Sequence, residues 1–283
     1  MALPLTWLDV FTARRLTGNG LAVVHDADAV DDGTMLAFAR ETRLSETSFV
    51  QSATEAGADY RNRIWMTMRE LPFAGHPSLG VAVAVARARG EREASYVQQT
   101  GAGLQAIDVE LGDGVAHASM LQEPAAFGAE VEASVALRAL GLGADDREPE
   151  LPPQVVSTGL AQLVVPVREA GALERVAPDG AALRALLDEH ACTCAYLVHV
   201  DAAAETASAR SFFLDGATAL EDPATGSAAG PLMAYAHART GVERIAIDQG
   251  VAMGRASRLV CEAGERVRVG GDVVLLFEST VDL

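Results

Sequence analysis

The first half of the chain alternates between strand-like segments and one helix-like segment. Residues 5–13, LTWLDVFTA, place apolar and polar side chains in the period of two that is typical of a half-buried strand. Residues 17–20 predict a turn, and the apolar run LAVVH after them predicts a buried strand. A helix is expected over residues 31–43, where the apolar side chains share one face. Five more strand-like segments follow before residue 124.

The pattern changes around Pro124. There EVEASVALRALGL predicts an amphipathic helix, the strand pattern restarts at QVVSTGLAQLVVPV, and AALRALLDEH predicts another helix before CAYLVHVD. We therefore predict a boundary in this connecting stretch. The predicted N-terminal lobe comprises residues 1–124, to which a strand at 266–283 returns, and the C-terminal lobe comprises residues 125–265.

Two segments, 74–90 and 225–241, align without a gap. Gly75 matches Gly226, and Gly90 matches Gly241. Each segment is a glycine turn followed by an Ala-rich helix, and an acidic loop that ends in proline precedes each. Because such helices are apolar nearly all round, they are expected to be buried. The sequence thus predicts two strand-rich halves, each wrapped round one buried helix.

Composition and charge narrow the class of protein. The 283 residues are 49% hydrophobic and 22% charged, which is typical of a globular chain. A net charge of -17 opposes binding to nucleic acid, because a phosphate backbone needs a basic surface. The absence of a long apolar window or a basic leader predicts a soluble, cytoplasmic protein without membrane contact. Three sparse cysteines and scattered histidines do not support a metal site.

The two glycine turns are candidate binding sites. A helix N-terminus offers unpaired amides and a partial positive charge, so it can bind a carboxylate without a lysine. Gly75 and Gly226 let a ligand approach the backbone closely, and if the halves face each other both helix ends converge on one cleft. Either turn alone is better explained as an ordinary helix start, with Ser227 as a cap. Their occurrence at equivalent places favours a binding site.

Three titratable side chains are candidates for the chemistry. Glu46 begins an apolar strand, where partial desolvation would raise its pKa and let it accept and donate a proton. His76 at a helix start is expected to stay neutral. Asp222 precedes a proline. Each also has an ordinary explanation: a solvated turn carboxylate, a structural histidine and a turn-forming aspartate.

Five ordered segments resemble the motifs of the phenazine-biosynthesis (PhzF-like) isomerase family. They are GNGLAVV (18–24), LSETSFV (44–50), ELPFAGHPSLG (70–80), EDPATGSA (221–228) and QGVAMGR (249–255). Because they run from near the start to residue 255, the resemblance covers essentially the whole chain.

The resemblance implies an α+β, diaminopimelate-epimerase-like fold of two similar lobes, each a β-barrel-like sheet wrapped round a central helix. It also implies a homodimer that needs no cofactor or metal. Glu46 would be the proton shuttle, and His76 and Asp222 would position the substrate. The backbone at Gly75 and Gly226, together with the residue after Gly226, Ser227, would hold the polar groups of the substrate.

The expected function is a cofactor-independent isomerase that moves a proton on a small cyclic or amino-acid-derived carboxylate. In the phenazine pathway the family isomerises a dihydro-hydroxyanthranilate. A catalytically silent metabolite-binding protein and a racemase or epimerase remain alternatives. Racemases of this fold use two opposed cysteines, but the corresponding positions hold Ala74 and Thr225. A stereoinversion that uses two thiols is therefore disfavoured.

Two segments depart from the family pattern. Residues 65–69, WMTMR, replace a common aromatic-Thr-Pro sequence, and the loop 212–220 lacks the usual proline. Since both would border the cleft, they bear on the natural substrate more than on the proton transfer.

Overall fold

The computed structural model describes residues 1–216 and 218–283, which form two compact units. The first comprises Met1–Leu121 and Gly270–Leu283, and the second comprises Gln122–Val269. The boundaries predicted from the sequence lie after residues 124 and 265. Ala217, in the segment that departs from the family pattern, lies outside the described residues.

The first unit contains eight strands and two helices that precede residue 122. They are β1 Ala2–Val10, β2 Asn19–Val24, α1 Asp32–Thr42, β3 Glu46–Gln51, β4 Tyr60–Trp65, β5 Glu70–Leu71, α2 Gly75–Arg89, β6 Glu93–Thr100, β7 Gly103–Leu111 and β8 Ala116–Leu121.

The second unit has a similar content. Its elements are β9 Ala126–Glu130, α3 Ala133–Ala139, β10 Gln154–Ser157, β11 Ala161–Pro166, α4 Ala172–Arg175, α5 Gly180–Glu189, β12 Ala195–Asp201, β13 Thr206–Asp215, β14 Thr218–Asp222, α6 Gly226–Thr240, β15 Arg244–Gln249 and β16 Ser257–Glu262. The chain then enters β17 Arg268–Asp282, which belongs to the first unit from Gly270 onward.

The strands of the first unit close into a ring. Strand β1 pairs antiparallel with β2 and β17, β2 runs parallel to β3, and β3 pairs antiparallel with β4. Strand β4 runs parallel to β6, which continues antiparallel into β7 and β8. Because β8 pairs with β17, the ring closes through eight strands, and the short β5 adds to β4.

Helix α2 packs against seven of these strands, namely β1, β2, β3, β4, β6, β7 and β8. All its residues from Gly75 to Ala86 are buried, in agreement with the prediction from composition. The backbone approaches closely at Gly80, where an added Cβ would lie 2.5 Å from Leu21 Cδ2. The helix ends at Gly90, whose φ of 70° is a conformation that glycine adopts without strain.

The second unit repeats this order of pairing. Strand β10 pairs antiparallel with β11, β11 runs parallel to β12, and β12 pairs antiparallel with β13. Strand β13 runs parallel to β15, carries the short β14 at its edge, and β15 pairs antiparallel with β16. Helix α6 follows β14 as α2 follows β5, and it is buried over most of its length. The prediction of an α+β fold with two similar halves is confirmed.

An outer helix covers the sheet of each unit at an equivalent place. Helix α1 precedes β3 and buries Met35 and Ala39 in a cluster that includes Phe49. Helix α5 precedes β12 and buries three leucines, among them Leu183 and Leu187, in a cluster that includes Leu197 of β12. Burying one such leucine contributes roughly 1.5–3 kcal/mol, so these clusters hold the starts of β3 and β12 in place.

Most predicted elements are present. The helix predicted at 31–43 is α1, with Asp31 as its N-cap and Arg43 as its C-cap. The turn predicted at 17–20 was wrong in one respect, because Asn19 already belongs to β2 and is buried. Only Gly18, with a φ of 67°, needs the left-handed conformation there.

Two features are absent from the described part of the chain. No helix there is long and apolar enough to cross a lipid bilayer. No three His, Cys, Asp or Glu side chains among those residues are grouped so that they could coordinate a metal ion.

We expect Gly230→Ala to destabilise the second unit. A Cβ at Gly230 would lie 1.8 Å from Gln122 Oε1, and this buried amide also binds the Gly226 carbonyl. Overpacking of this kind costs about 1–3 kcal/mol, which urea unfolding can measure. The control is Gly33→Ala in the exposed first turn of α1, where the nearest atom belongs to the side chain of Asp31 and the change should be neutral or slightly stabilising. Equal effects of the two substitutions would contradict this account.

Candidate active site

Glu46 is the first residue of β3, directly after the turn that follows α1. Its strand runs parallel to β2, with Glu46 beside Leu21, and antiparallel to β4. The Glu46 side chain is 13% exposed, so most of it is withdrawn from water while some surface stays accessible. The position at the start of an apolar strand agrees with the sequence prediction.

His76 lies beside Glu46 in the first turn of α2. Its Nε2 is 3.4 Å from Glu46 Oε2, and its Nδ1 is 3.2 Å from Asn19 Nδ2. Because an amide nitrogen only donates, Nδ1 accepts and the ring proton of neutral His76 must be on Nε2. The Nε2–H group is therefore on the side of the ring that meets the Glu46 carboxylate.

Burial decides the charge of His76. The residue is 4% exposed, and its removal from water lowers its pKa to about 3. Although the two side chains are at ion-pair distance, His76 is therefore neutral and not a cation. This agrees with the neutral state expected from the sequence, but the main cause is burial, whereas the sequence prediction attributed it to the helix end.

The N-terminal end of α2 has no side-chain cap. Ala74 is the N-cap, and its methyl group cannot accept from the first amides. The next accepting group, the Ala74 carbonyl, binds the amide and hydroxyl of Ser78. Gln98 donates to the same hydroxyl at 2.7 Å. The amides of Gly75 and His76 therefore stand at a firmly held helix start with a partial positive charge.

The corresponding end of α6 in the second unit carries Asp222. The Thr225 hydroxyl, at the N-cap position, donates to Asp222 Oδ2 at 2.6 Å. Gln249 donates to the Asp222 carbonyl and to Thr225 Oγ1, at 2.7 and 3.0 Å. The turn that brings Asp222 to the helix start is therefore fixed by a buried carboxamide.

The next two residues of this helix start are also anchored. Gln122 donates to the Gly226 carbonyl at 2.8 Å, and Thr158 donates to the same Gln122 side chain. Gln162 Nε2 lies 3.4 Å from Ser227 Oγ. In the alignment of segments 74–90 and 225–241, Ser227 corresponds to His76 but has a hydroxyl in place of an imidazole.

A bidentate ion pair precedes each helix start. Arg63 binds both oxygens of Glu70 at 2.7 and 2.6 Å, and Arg210 binds both oxygens of Glu221 at 2.9 and 2.6 Å. Each arginine also stacks on the aromatic ring two residues later in its own strand. The strand register makes these pairs equivalent, so both acidic loops are held in the same way.

The structure brings the predicted residues together within each unit. Glu46, His76 and Gly75 meet at the start of α2, whereas Asp222, Gly226 and Ser227 meet at the start of α6. A surface cavity of about 470 Å³ contains none of these residues. Its lining residues are His237, Glu243, Arg244, Glu262, Ala263 and Gly264.

Sequence reasoning missed two buried amides that orient the site. Asn19 was interpreted as a turn residue, and Gln249 was noted only as part of a motif. Both are almost fully buried, at 1% and 0% exposed. The signal that could have found them is a carboxamide at the end of an otherwise apolar strand, where burial requires hydrogen-bond partners.

The chain is similar to several known proteins. The sequence model of the family described as PhzC-PhzF, phenazine biosynthesis-like protein, matches residues 8–279. The trans-2,3-dihydro-3-hydroxyanthranilate isomerase of Pseudomonas aeruginosa is 34% identical over 92% of this chain and 91% of its own. A predicted epimerase of the same organism is 37% identical, with a TM-score of 0.86 over 99% of both chains. A PhzF-family protein of Bacillus anthracis is 25% identical, with a TM-score of 0.88 over 100% of both chains.

We expect the imidazole of His76 to be a neutral Nε2–H tautomer from about pH 5 to 8, since burial lowers its pKa to about 3. Ring ¹⁵N chemical shifts would measure this. In Asn19→Asp the new carboxylate can only accept, so the ring proton should move to Nδ1. Asn19→Gln is the control that keeps a donor. A His76 resonance that titrates near pH 6.5 in the wild-type protein would contradict this assignment.

The low pKa of His76 also predicts a pH dependence of stability. In the unfolded chain the His76 ring binds a proton below about pH 6.5, whereas in the folded protein it does so only below about pH 3. Between these values the unfolded state binds more protons, so the free energy of unfolding falls as the pH falls. Denaturant unfolding of His76→Gln should show a shallower decline than wild type. His25→Gln should flatten it as well, because burial also lowers the pKa of His25. An unchanged slope in both variants would refute the linkage.

Proposed function

This chain belongs to the phenazine biosynthesis-like protein family and is an isomerase, and from this premise we propose that Glu46 moves a proton between two carbons of a small carboxylate. The Glu46 carboxylate would remove a proton from a carbon next to a conjugated or electron-withdrawing group. The protonated carboxyl group would then return that proton to another carbon of the conjugated system. No oxidant, reductant or other co-reactant is needed for this isomerisation.

The observation that carries the proposal is the contact between Glu46 and a neutral His76. The Nε2–H of His76 faces Glu46 Oε2 at 3.4 Å, and Asn19 holds the ring from its other side. A neutral histidine beside the carboxylate supplies no full positive charge, which would favour the ionised carboxylate too strongly for it to release and regain a proton readily. The partial exposure of Glu46 leaves it accessible to a substrate carbon.

The helix start beside Glu46 would stabilise the charge that develops. Removing a proton from carbon leaves negative charge that spreads onto the conjugated system and its carboxylate. Preorganised amides at Gly75 and His76, reinforced by the partial positive charge of α2, would stabilise this charge. Amides that are already fixed need no reorganisation when the charge forms. His76 would thus contribute through its ring and through its backbone.

The helix start of the second unit offers a separate place for polar groups of a small molecule. We propose that Asp222 accepts a hydrogen bond from an amino or hydroxyl group, and that the amides after Gly226 and the Ser227 hydroxyl bind polar oxygens. Asp222 is suited to this role because Thr225 already donates to one of its oxygens.

The proposed substrate is a cyclic amino carboxylate with a conjugated ring system. Support comes from the isomerases of Pseudomonas chlororaphis and Pseudomonas aeruginosa, whose names specify trans-2,3-dihydro-3-hydroxyanthranilate. This compound is the first to test. The two-thiol chemistry of racemases receives no support, because Ala74 and Thr225 precede the two helices. The predicted homodimer and the cytoplasmic location remain predictions.

We expect Glu46→Gln to abolish isomerisation while leaving ligand affinity within a few fold. The reaction would be followed in D₂O by NMR with trans-2,3-dihydro-3-hydroxyanthranilate, and wild type should incorporate deuterium at one carbon as the double bonds move. Loss of a general acid and base lowers rates by about 10²–10⁴-fold or more. The matched control is Glu41→Gln, since Glu41 lies on the exposed face of α1.

The outcomes separate the alternatives. Deuterium incorporation that persists unchanged in Glu46→Gln would exclude Glu46 as the base. Inversion at a stereocentre without movement of a double bond would identify an epimerase. Binding of the compound by wild type without any exchange would overturn the proposed substrate.

A further inference from the structure

Gln249 uses every hydrogen-bonding position of its side chain at the α6 helix start. Its Oε1 accepts from the Tyr196 hydroxyl at 2.9 Å and from the Thr225 amide at 3.2 Å. Its Nε2 donates to the Asp222 carbonyl and to Thr225 Oγ1. Gln249 and Tyr196 are both fully buried. The four bonds hold the residues from Asp222 to Thr225 against the last residue of β15.

The partners of Gln249 fix the direction of every bond. The Thr225 amide can only donate, so the atom that faces it must be Oε1, and Nε2 must then face the carbonyl and the hydroxyl. Because Nε2 donates to Thr225 Oγ1, the Thr225 hydroxyl is left to donate its own proton to Asp222 Oδ2 at 2.6 Å. A directed series of donors therefore ends at the Asp222 carboxylate.

The first unit serves as an internal comparison. Gly250 packs on Pro223 in the second unit as Gly101 packs on Pro72 in the first. The residue before Gly101 is Thr100, which therefore occupies the position equivalent to Gln249. Thr100 bonds within its own turn, to the Gly103 carbonyl, the Ala102 amide and Gln105.

The Asp222 carboxylate and the Gln249 carboxamide occur in the same unit. By the same alignment Asp222 corresponds to Leu71, because each directly precedes the proline of its acidic loop. The first unit combines Leu71 with Thr100 at these two positions, whereas the second unit combines Asp222 with Gln249. A purely structural role in supporting the loop would be needed equally in both units.

We propose that Gln249 is a positioning residue that acts through Thr225 to hold Asp222 ionised and oriented as a hydrogen-bond acceptor for the substrate. This inference rests on the role of Asp222 in the proposed function. It implies that the substrate group at Asp222 is a donor, namely an ammonium, amino or hydroxyl group, and not a carboxylate. A carboxylate there would meet a second negative charge.

Three titratable residues near Asp222 are in fixed states. Burial raises the pKa of Cys194 to about 12 and that of Tyr196 well above its ordinary value, so both stay neutral. The neighbouring Arg210 is engaged with both oxygens of Glu221. The Thr225 hydroxyl, which donates to Asp222 Oδ2 at 2.6 Å, is the donor that the test varies.

The test measures the pKa of the Asp222 carboxyl group by ¹³C NMR in the substrate-free protein, with Asp222→Asn to assign the resonance. Removing a hydrogen bond to a charged group in Thr225→Val should raise this pKa by about one unit. Thr225→Ser should restore the wild-type value. Gln249→Met should raise it in the same direction but by less. Thr100→Val, the matched control in the first unit, should leave it unchanged.

Kinetics with trans-2,3-dihydro-3-hydroxyanthranilate add a second readout. In Thr225→Val, kcat/KM should fall about tenfold, mainly through a higher KM, because a binding contact is weakened. Thr225→Ser should recover the wild-type KM. An unchanged pKa of Asp222 in Thr225→Val and Gln249→Met, with both variants folded, would overturn the inference. If wild type does not turn over this substrate, the proposed function fails while the NMR result still decides the role of Gln249.

Discussion

Each unit depends on the burial of one helix that has small apolar side chains on nearly every side. A helix of this kind is stable only if strands cover it, and the strand pairings round α2 and α6 follow from that requirement. Its side surfaces are therefore unavailable to a ligand. Its first turn presents backbone amides that carry the partial positive charge of the helix. The location of the candidate site thus follows from the way the hydrophobic core is built.

The two units share the same strand order but have different functional groups at equivalent positions. The register that pairs Thr47 with Trp65 in the first unit pairs Ala195 with Phe212 in the second. Glu46 in the first unit is therefore equivalent to Cys194 in the second, a buried thiol whose pKa is raised to about 12. A carboxylate occurs at one of the two equivalent places, and a thiol that stays protonated at neutral pH occurs at the other. The duplicated scaffold thus carries different functional groups at equivalent positions.

The sequence predicted the elements better than it predicted the contacts. Periodicity and glycine caps located α1, α2 and α6. The gapless alignment of segments 74–90 and 225–241 predicted the repeated architecture. Glu46 could be placed at a strand start because the helix before it has a clear end. The roles of Asn19 and Gln249 could not be predicted in the same way, since their partners lie far away in sequence. Asn19 meets a histidine 57 positions later, and Gln249 meets a threonine 24 positions earlier. Such contacts depend on strand register, which no local pattern specifies.

The pairing of β17 with β1 and β8 affects the order in which a nascent chain can mature. Strand β17 emerges from the ribosome after the whole second unit, yet it completes the sheet of the first. Until then β1 and β8 have unpaired edges, and such edges invite association with other chains. The second unit, which is continuous in sequence, can reach its final structure first. Growing chains thus carry an unfinished first unit through most of translation, and the cell must protect them from aggregation during that interval.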